Sequence, residues 1–208
     1  MGVTGSGGVA LFAFWALSAG AAGADESFVV DAAASSFRIS VGKSGLFSFA
    51  GHEHEVRATA IEGVIVANRE DLARSSVSLR FETGGLRVDG QGEPPADVPK
   101  VQAKMAGPDV LDVVKFQEVT FQSTVVEGRL VPDGSWNLRV TGDVTIKGVS
   151  RSLVLPLRVH LAAGVLTATG QVVLKQTDFG LIPVSVAGVV KVKNELGLDY
   201  KIVARGSP

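Results

Sequence analysis

From Phe28 onward, apolar and polar residues alternate with a period of two, the pattern of strands that bury one face. Phe37, Ile39 and Val41 share one face of a strand opened by Ser35-Ser36. Val77, Leu79 and Phe81 alternate with Ser76, Ser78, Arg80 and Glu82. Val119, Phe121, Ser123 and Val125 alternate in the same way with Thr120, Gln122 and Thr124. Leu138, Val140, Gly142, Val144 and Ile146 oppose Arg139, Thr141, Asp143, Thr145 and Lys147. Further strands are predicted over 153–161, 166–175 and 189–193, and Leu198, Tyr200, Ile202 and Ala204 fall on one face of a last one. Gly84-Gly85, Asp133-Gly134, Gly148 and Gly164 supply the turns between them. One stretch reads helical: Asp97–Met105 has Pro99 in its first turn and Gly107-Pro108 as its stop, and with a short turn it forms an insert near 97–114.

Many strands without repeated crossover helices imply an antiparallel sheet. Two all-β architectures fit that pattern. A two-sheet sandwich fills its core with side chains, whereas a barrel of about eight strands removes its sheet edges and has room for a small ligand. Strands 153–161 and 189–192 are apolar on both faces, which suits a barrel with an apolar lumen and a helix packed outside.

The pattern stops short of the N-terminus. Val9–Ala24 is an uncharged apolar run ending in small residues, with Ala22-Gly23-Ala24 as a cleavage motif. Its core, Val9–Leu17, is too short to span a bilayer of about 30 Å as a helix. The reading is a signal peptide over 1–24 and a periplasmic or secreted domain over 25–208, although Met1–Gly8 lacks the usual positive charge. Lys and Arg total 20 against 21 Asp and Glu, a balance unsuited to a nucleic-acid binder, which needs clustered cations for phosphates. With no Cys, disulfides, thiolate metal sites and thiol nucleophiles are excluded together.

Catalytic motifs are weak. Val41-Gly42-Lys43-Ser44 lacks the earlier glycine and the following helix of a phosphate-binding loop. Asp178-Phe179-Gly180 lacks every other part of a kinase and reads as a strand-ending turn, with Phe179 packed and Gly180 relaxing the backbone. Gly51-His52-Glu53-His54-Glu55 is the one dense cluster of ligand-type side chains. Extended, it points His52 and His54 the same way, an arrangement open to a metal or to a polar barrel rim. Two ligands are too few for a tight zinc site, so no metal, cofactor or enzymatic turnover is expected; a metal-binding module or metal-dependent enzyme using this pair is the alternative.

Beside these patterns stand longer matches: Ser35–Ile39, residues 44–61 (SGLFSFAGHEHEVRATAI), 105–112 (MAGPDVLD), 116–123 (FQEVTFQS), 140–156 (VTGDVTIKGVSRSLVLP) and 176–181 (QTDFGL). In order and spacing they resemble the YceI-like exported lipid-binding proteins over nearly the whole chain after the leader. The His-Glu-His segment and Phe116-Gln117-Glu118 depart from the usual pattern. The resemblance implies an extended lipocalin-like antiparallel β-barrel that holds a polyisoprenoid or other long apolar lipid, without catalytic residues and with transient membrane contact. Such a barrel would be lined by Phe37, Ile39, Val77, Leu79, Phe81, Phe121, Val140, Val144, Ile146, Leu198 and Ile202; the same residues would equally fill a solid core. At the mouth, Lys43, His52, His54 and Arg57 are the candidates to meet an anionic head group, against a reading in which they belong to a solvated loop.

Overall fold

The computed structural model describes residues 23–44, 54–89, 95–183, 185–186 and 190–206. Alternation translates into twelve strand segments: β1 (Glu26–Val30), β2 (Ser36–Ser44), β3 (His54–Ala58), β4 (Ile61–Ala67), β5 (Ser76–Glu82), β6 (Leu86–Asp89), β7 (Glu118–Leu130), β8 (Trp136–Ile146), β9 (Val149–Ala162), β10 (Val165–Lys175), β11 (Ser185–Val186) and β12 (Val190–Gly206). Every pairing is antiparallel. The order β1-β4-β5-β7-β8-β9-β10-β12 closes through a β1–β12 pairing into an eight-stranded barrel, which settles the choice against a sandwich. β2, β3 and β6 continue β1, β4 and β5 beyond short breaks, so that β12 pairs with β1 near its C-terminal end and with β2 along the rest.

Turn chemistry sets the register. Lys147-Gly148 and Ala163-Gly164 are two-residue loops with positive φ at both positions (50°, 75° and 49°, 73°), the turn whose twist matches a hairpin. Pro132-Asp133-Gly134 makes a longer turn: the Gly134 amide donates to the Val131 carbonyl, and Gly134 takes the left-handed φ of 80°. The predicted turn at Asp178-Phe179-Gly180 also forms, as a 3-10 turn over Gln176–Phe179 that buries Phe179 and ends on Gly180 at φ 68°.

Three expectations need correction. Val125 was placed on the Phe121 face, yet Val125 is exposed and Val126 is buried. The β7–β8 register slips between Ser123 and Val125, and this bulge reverses the alternation beyond it. The two strands expected at 189–193 and around 198–204 are one strand of seventeen residues, Val190–Gly206; an irregularity between Val192 and Leu196 interrupts the apolar pattern without ending the strand. The helix, α1 (Val98–Ala106), forms as predicted but does not lie on the outer face of β9 or β12. Its Gln102 accepts from the Val88 amide (2.9 Å) and donates to the Leu86 carbonyl (3.0 Å), so one side-chain amide satisfies the open edge of β6. Val98, Val101 and Met105 pack with Val56, Leu86, Val88 and Leu111 in a small cluster beneath it.

Candidate functional site

The inward faces of the barrel strands enclose a cavity of about 270 Å³. It runs nearly the whole length of the wall: on β8 alone it touches Trp136, Leu138, Val140, Val144 and Ile146. Ten residue steps at about 3.3 Å, tilted about 40° to the axis, correspond to about 25 Å along the barrel. All eleven residues expected to line a lumen do so, namely Phe37, Ile39, Val77, Leu79, Phe81, Phe121, Val140, Val144, Ile146, Leu198 and Ile202. The space they leave open removes the solid-core reading.

Among the described residues the polar groups of the lining are those of Asn68, Arg69 and Ser75 at one end, Gln176 near the other and Tyr200 between them, beside the indole of Trp136. At the first end Asn68 is buried and fully engaged. Its Nδ2 donates to the Gly23 carbonyl (2.8 Å) and to Asp25 (2.8 Å), and its Oδ1 accepts from the Glu70 (3.0 Å) and Asp71 (2.8 Å) amides. The Asn68 amide in turn donates to Ser75 Oγ (2.9 Å). Hydrogen bonding from Asn68, then from Arg74, holds the Asp25 carboxyl below the usual aspartate range. This knot, with Leu72 beneath it, floors the cavity. Arg69 is turned to Glu26 (2.8 Å) and is more than half exposed.

Aromatic rings crowd the middle. Phe37 tilts against Phe81 (centroids 4.8 Å apart) and stacks on Tyr200 (6.0 Å). Gly142 gives Phe121 its place, because a Cβ there would stand 2.6 Å from the ring. The Tyr200 hydroxyl donates to the Pro156 carbonyl (3.0 Å), and burial pushes its pKa up to about 12. A Cβ on Gly170 would lie 2.2 Å from that carbonyl oxygen and 2.7 Å from the hydroxyl. The three residues Pro156, Gly170 and Tyr200 therefore form one unit. Sequence reading placed Tyr200 on the inward face but missed this role; the signal was a Pro inside a long apolar strand, where it cannot serve the ladder.

The head-group candidates are less complete. His52 lies outside the described residues, and for Lys43 and His54 the structure describes only the backbone, paired in β2 and β3. Arg57 points away from the lumen, since its neighbours Val56 and Ala58 take the inward positions. It pairs with Glu55 (3.2 Å) and with Asp89. Arg57 is thus an outer-wall residue whose charge is already engaged. Among the described residues no group of three or more His, Asp or Glu is placed to hold a metal ion.

A closed antiparallel barrel with a long apolar bore defines a class of lipocalin-like proteins. The family model described as the YceI-like domain matches residues 28–204, and the chain belongs to that family. Among solved structures, BcnA of Burkholderia cenocepacia is similar at 18% identity and a TM-score of 0.64, over 84% of this chain and 98% of that one. A polyisoprenoid binding domain from Saccharophagus degradans, implicated in plant cell wall breakdown, gives 13% identity and a TM-score of 0.66, over 88% and 99%. The Campylobacter jejuni YCEI protein gives 16% and 0.54, over 74% and 84%. At these identities the likeness concerns the fold. No curated protein matches the chain.

Proposed function

We propose that this chain is an exported binding protein that holds a polyisoprenoid or similar long apolar lipid in its barrel, without chemical turnover. The observation that carries the reading is the bore itself: long, continuous, and apolar except for groups engaged within the protein. The polyisoprenoid binding domain with the same fold supports the ligand class. The apolar leader over residues 9–24 supports export, with the mature chain beginning near Asp25.

Energetics decide what kind of binder this is. Burying each CH2 from water is worth about 0.8 kcal/mol, so a long tail taken from water would exceed the practical ceiling of about 18–21 kcal/mol. Such a lipid resides in a bilayer, however, where its tail is already in hydrocarbon. Transfer to the bore then gains almost no hydrophobic energy. Fit to the bore sets selectivity, and the protein carries its guest rather than trapping it.

The test is native purification, extraction with organic solvent and mass spectrometry. A long isoprenoid or fatty chain recovered in proportion to protein is expected. Repeatedly empty extracts, from protein that also fails to take up such lipids from vesicles, would refute the reading.

A further inference from the structure

The barrel wall is laddered unevenly. β9 and β10 pair only from Thr169↔Arg158 to Val165↔Ala162, which leaves 149–157 and 170–175 unpaired with each other. The cause lies in three residues. Because 147–148 and 163–164 are two-residue loops, parity directs the even residues of β9 toward β10, and Pro156 stands where the ladder would next exchange hydrogen bonds with Gln171. Proline has no amide to give. Its carbonyl is instead capped by Tyr200, which reaches it across Gly170. Below this point the wall between β9 and β10 is a seam of side chains.

The 3-10 turn Gln176–Phe179, with Phe179 and Leu181 buried, closes the seam. Among the described residues its side-chain hydrogen bonds to other elements run to β12. Gln176 donates to the Lys193 carbonyl (2.7 Å), the Thr177 amide donates to Asn194 Oδ1 (3.0 Å), and Asn194 Nδ2 donates to Thr177 Oγ1 (2.9 Å). Among the described residues no hydrogen bond joins this turn to β9, and Phe179 and Leu181 share the apolar core with Leu153 and Leu155 of that strand. The gap beside β6 differs, since Gln102 hydrogen-bonds it shut.

The outside of the seam is suited to a membrane. Val173 on β10 is 63% exposed and Ile182, just after the turn, 74%. Lys175 on β10 stands on the same outer face, exposed and, among the described residues, without a carboxylate partner; Arg151 on β9, exposed and likewise unpaired, has the inward parity of its ladder partner Val144 and stands at the rim of the bore, whereas most other arginines on the barrel are ion-paired. Inside, Leu153, Leu155 and Leu174 on the two seam edges line the bore, so the apolar rim continues into the cavity.

We infer that the β9–β10 seam is a lateral portal, presented to an anionic bilayer surface, through which an apolar chain passes between membrane and bore as the 176–181 turn slides away from β9. The inference rests on the lipid-binding reading. Its test uses the absence of native Cys. Val154→Cys with Val173→Cys places two thiols on opposite seam edges, to be joined by a short bismaleimide; Thr145→Cys with Ser150→Cys does so across the laddered β8–β9 pair. A dansyl-labelled polyprenol is loaded from phosphatidylglycerol vesicles or from a cyclodextrin complex. The seam link is expected to slow loading from either source about tenfold or more, and the control link to leave it unchanged. Arg151→Glu with Lys175→Glu is expected to slow loading from vesicles but not from cyclodextrin. Equal rates with and without the seam link would overturn the portal, as would equal slowing by the control link. Charge reversal without effect on vesicle loading would overturn the bilayer face. Unmodified protein that takes up no polyprenol from either source would overturn the lipid reading as well.

Discussion

Tyr200→Phe isolates a single hydroxyl. The ring stays in its slot beside Phe37, and only the 3.0 Å hydrogen bond to the Pro156 carbonyl is lost. The β9–β10 ladder ends at Arg158, short of this carbonyl. The bond is part-buried and Pro156 itself is exposed, so water takes over part of the lost donor's role and the cost is about 0.5–1.5 kcal/mol, to which the nearly unchanged packing adds little. For a domain of this size each kcal/mol lowers Tm by about 2–4 °C, so a drop of roughly 1–6 °C is expected in a thermal melt followed by circular dichroism. The pH dependence provides an independent check. Burial raises the folded-state pKa to about 12 from the ordinary value of 10. The native state therefore holds a proton that the unfolded state releases first; stability is full below pH 10 and declines as pH rises toward about 12. The phenylalanine variant lacks this group, and its stability should fall less over that interval. A variant as stable as the parent at neutral pH, with the same alkaline decline, would refute the view that Tyr200 closes the end of the ladder.

Asn68→Ala removes the three side-chain hydrogen bonds, to Asp25, Glu70 and Asp71, that the floor of the cavity keeps after the leader is cleaved, and should cost roughly 2–4 kcal/mol in denaturant unfolding. Asn68→Asp, which keeps the acceptor but repels Asp25, should recover only part of that loss. Gln102→Ala uncovers the amide and carbonyl on the edge of β6 and should cost about 1–3 kcal/mol, with faster hydrogen exchange at Val88 as its local signature. Ala168→Phe projects a ring into the bore from β10; it should reduce lipid loading while leaving the barrel's far-ultraviolet circular dichroism intact, and undiminished loading would argue that the guest lies elsewhere.

Alternation made most of this fold legible, because a barrel wall with an apolar inside and a wet outside is the case in which period two maps directly onto position. The eleven lining residues follow from it, as do the glycine turns. Errors arose where one strand breaks phase. At Val125 a bulge inserts a residue, and nothing in the local composition distinguishes Thr124 from its neighbours. Long-range hydrogen bonds were also hidden: that Asn68 would tie down Gly23 and Asp25, or that Gln102 would act as a strand edge, depends on contacts between residues far apart in sequence. Arg57 was misplaced for a simpler reason. It sits near the loop carrying the two histidines, and proximity in sequence suggested a shared site, whereas strand parity turns it to the outer wall.

The two ends of the bore differ in a way that orders the guest. At the Asn68 end the polar side chains of the floor are engaged: Asn68 by Asp25, Glu70 and Asp71, Ser75 by the Asn68 backbone, and Arg69 turned outward to Glu26. A polar head group seated there would have to give up its water for partners already occupied, at a cost of several kcal/mol for a charged group. An apolar terminus loses nothing in the same place. The tail therefore belongs at the Asn68 floor and the head at the opposite end, where β9 and β10 part. That orientation agrees with a lateral route, since a lipid leaving a bilayer tail-first through the seam would reach the floor without turning its head group through hydrocarbon. A guest with polar groups at both ends should bind more weakly than one of equal length with a single head, and competition between the two for a fluorescent polyprenol would show it.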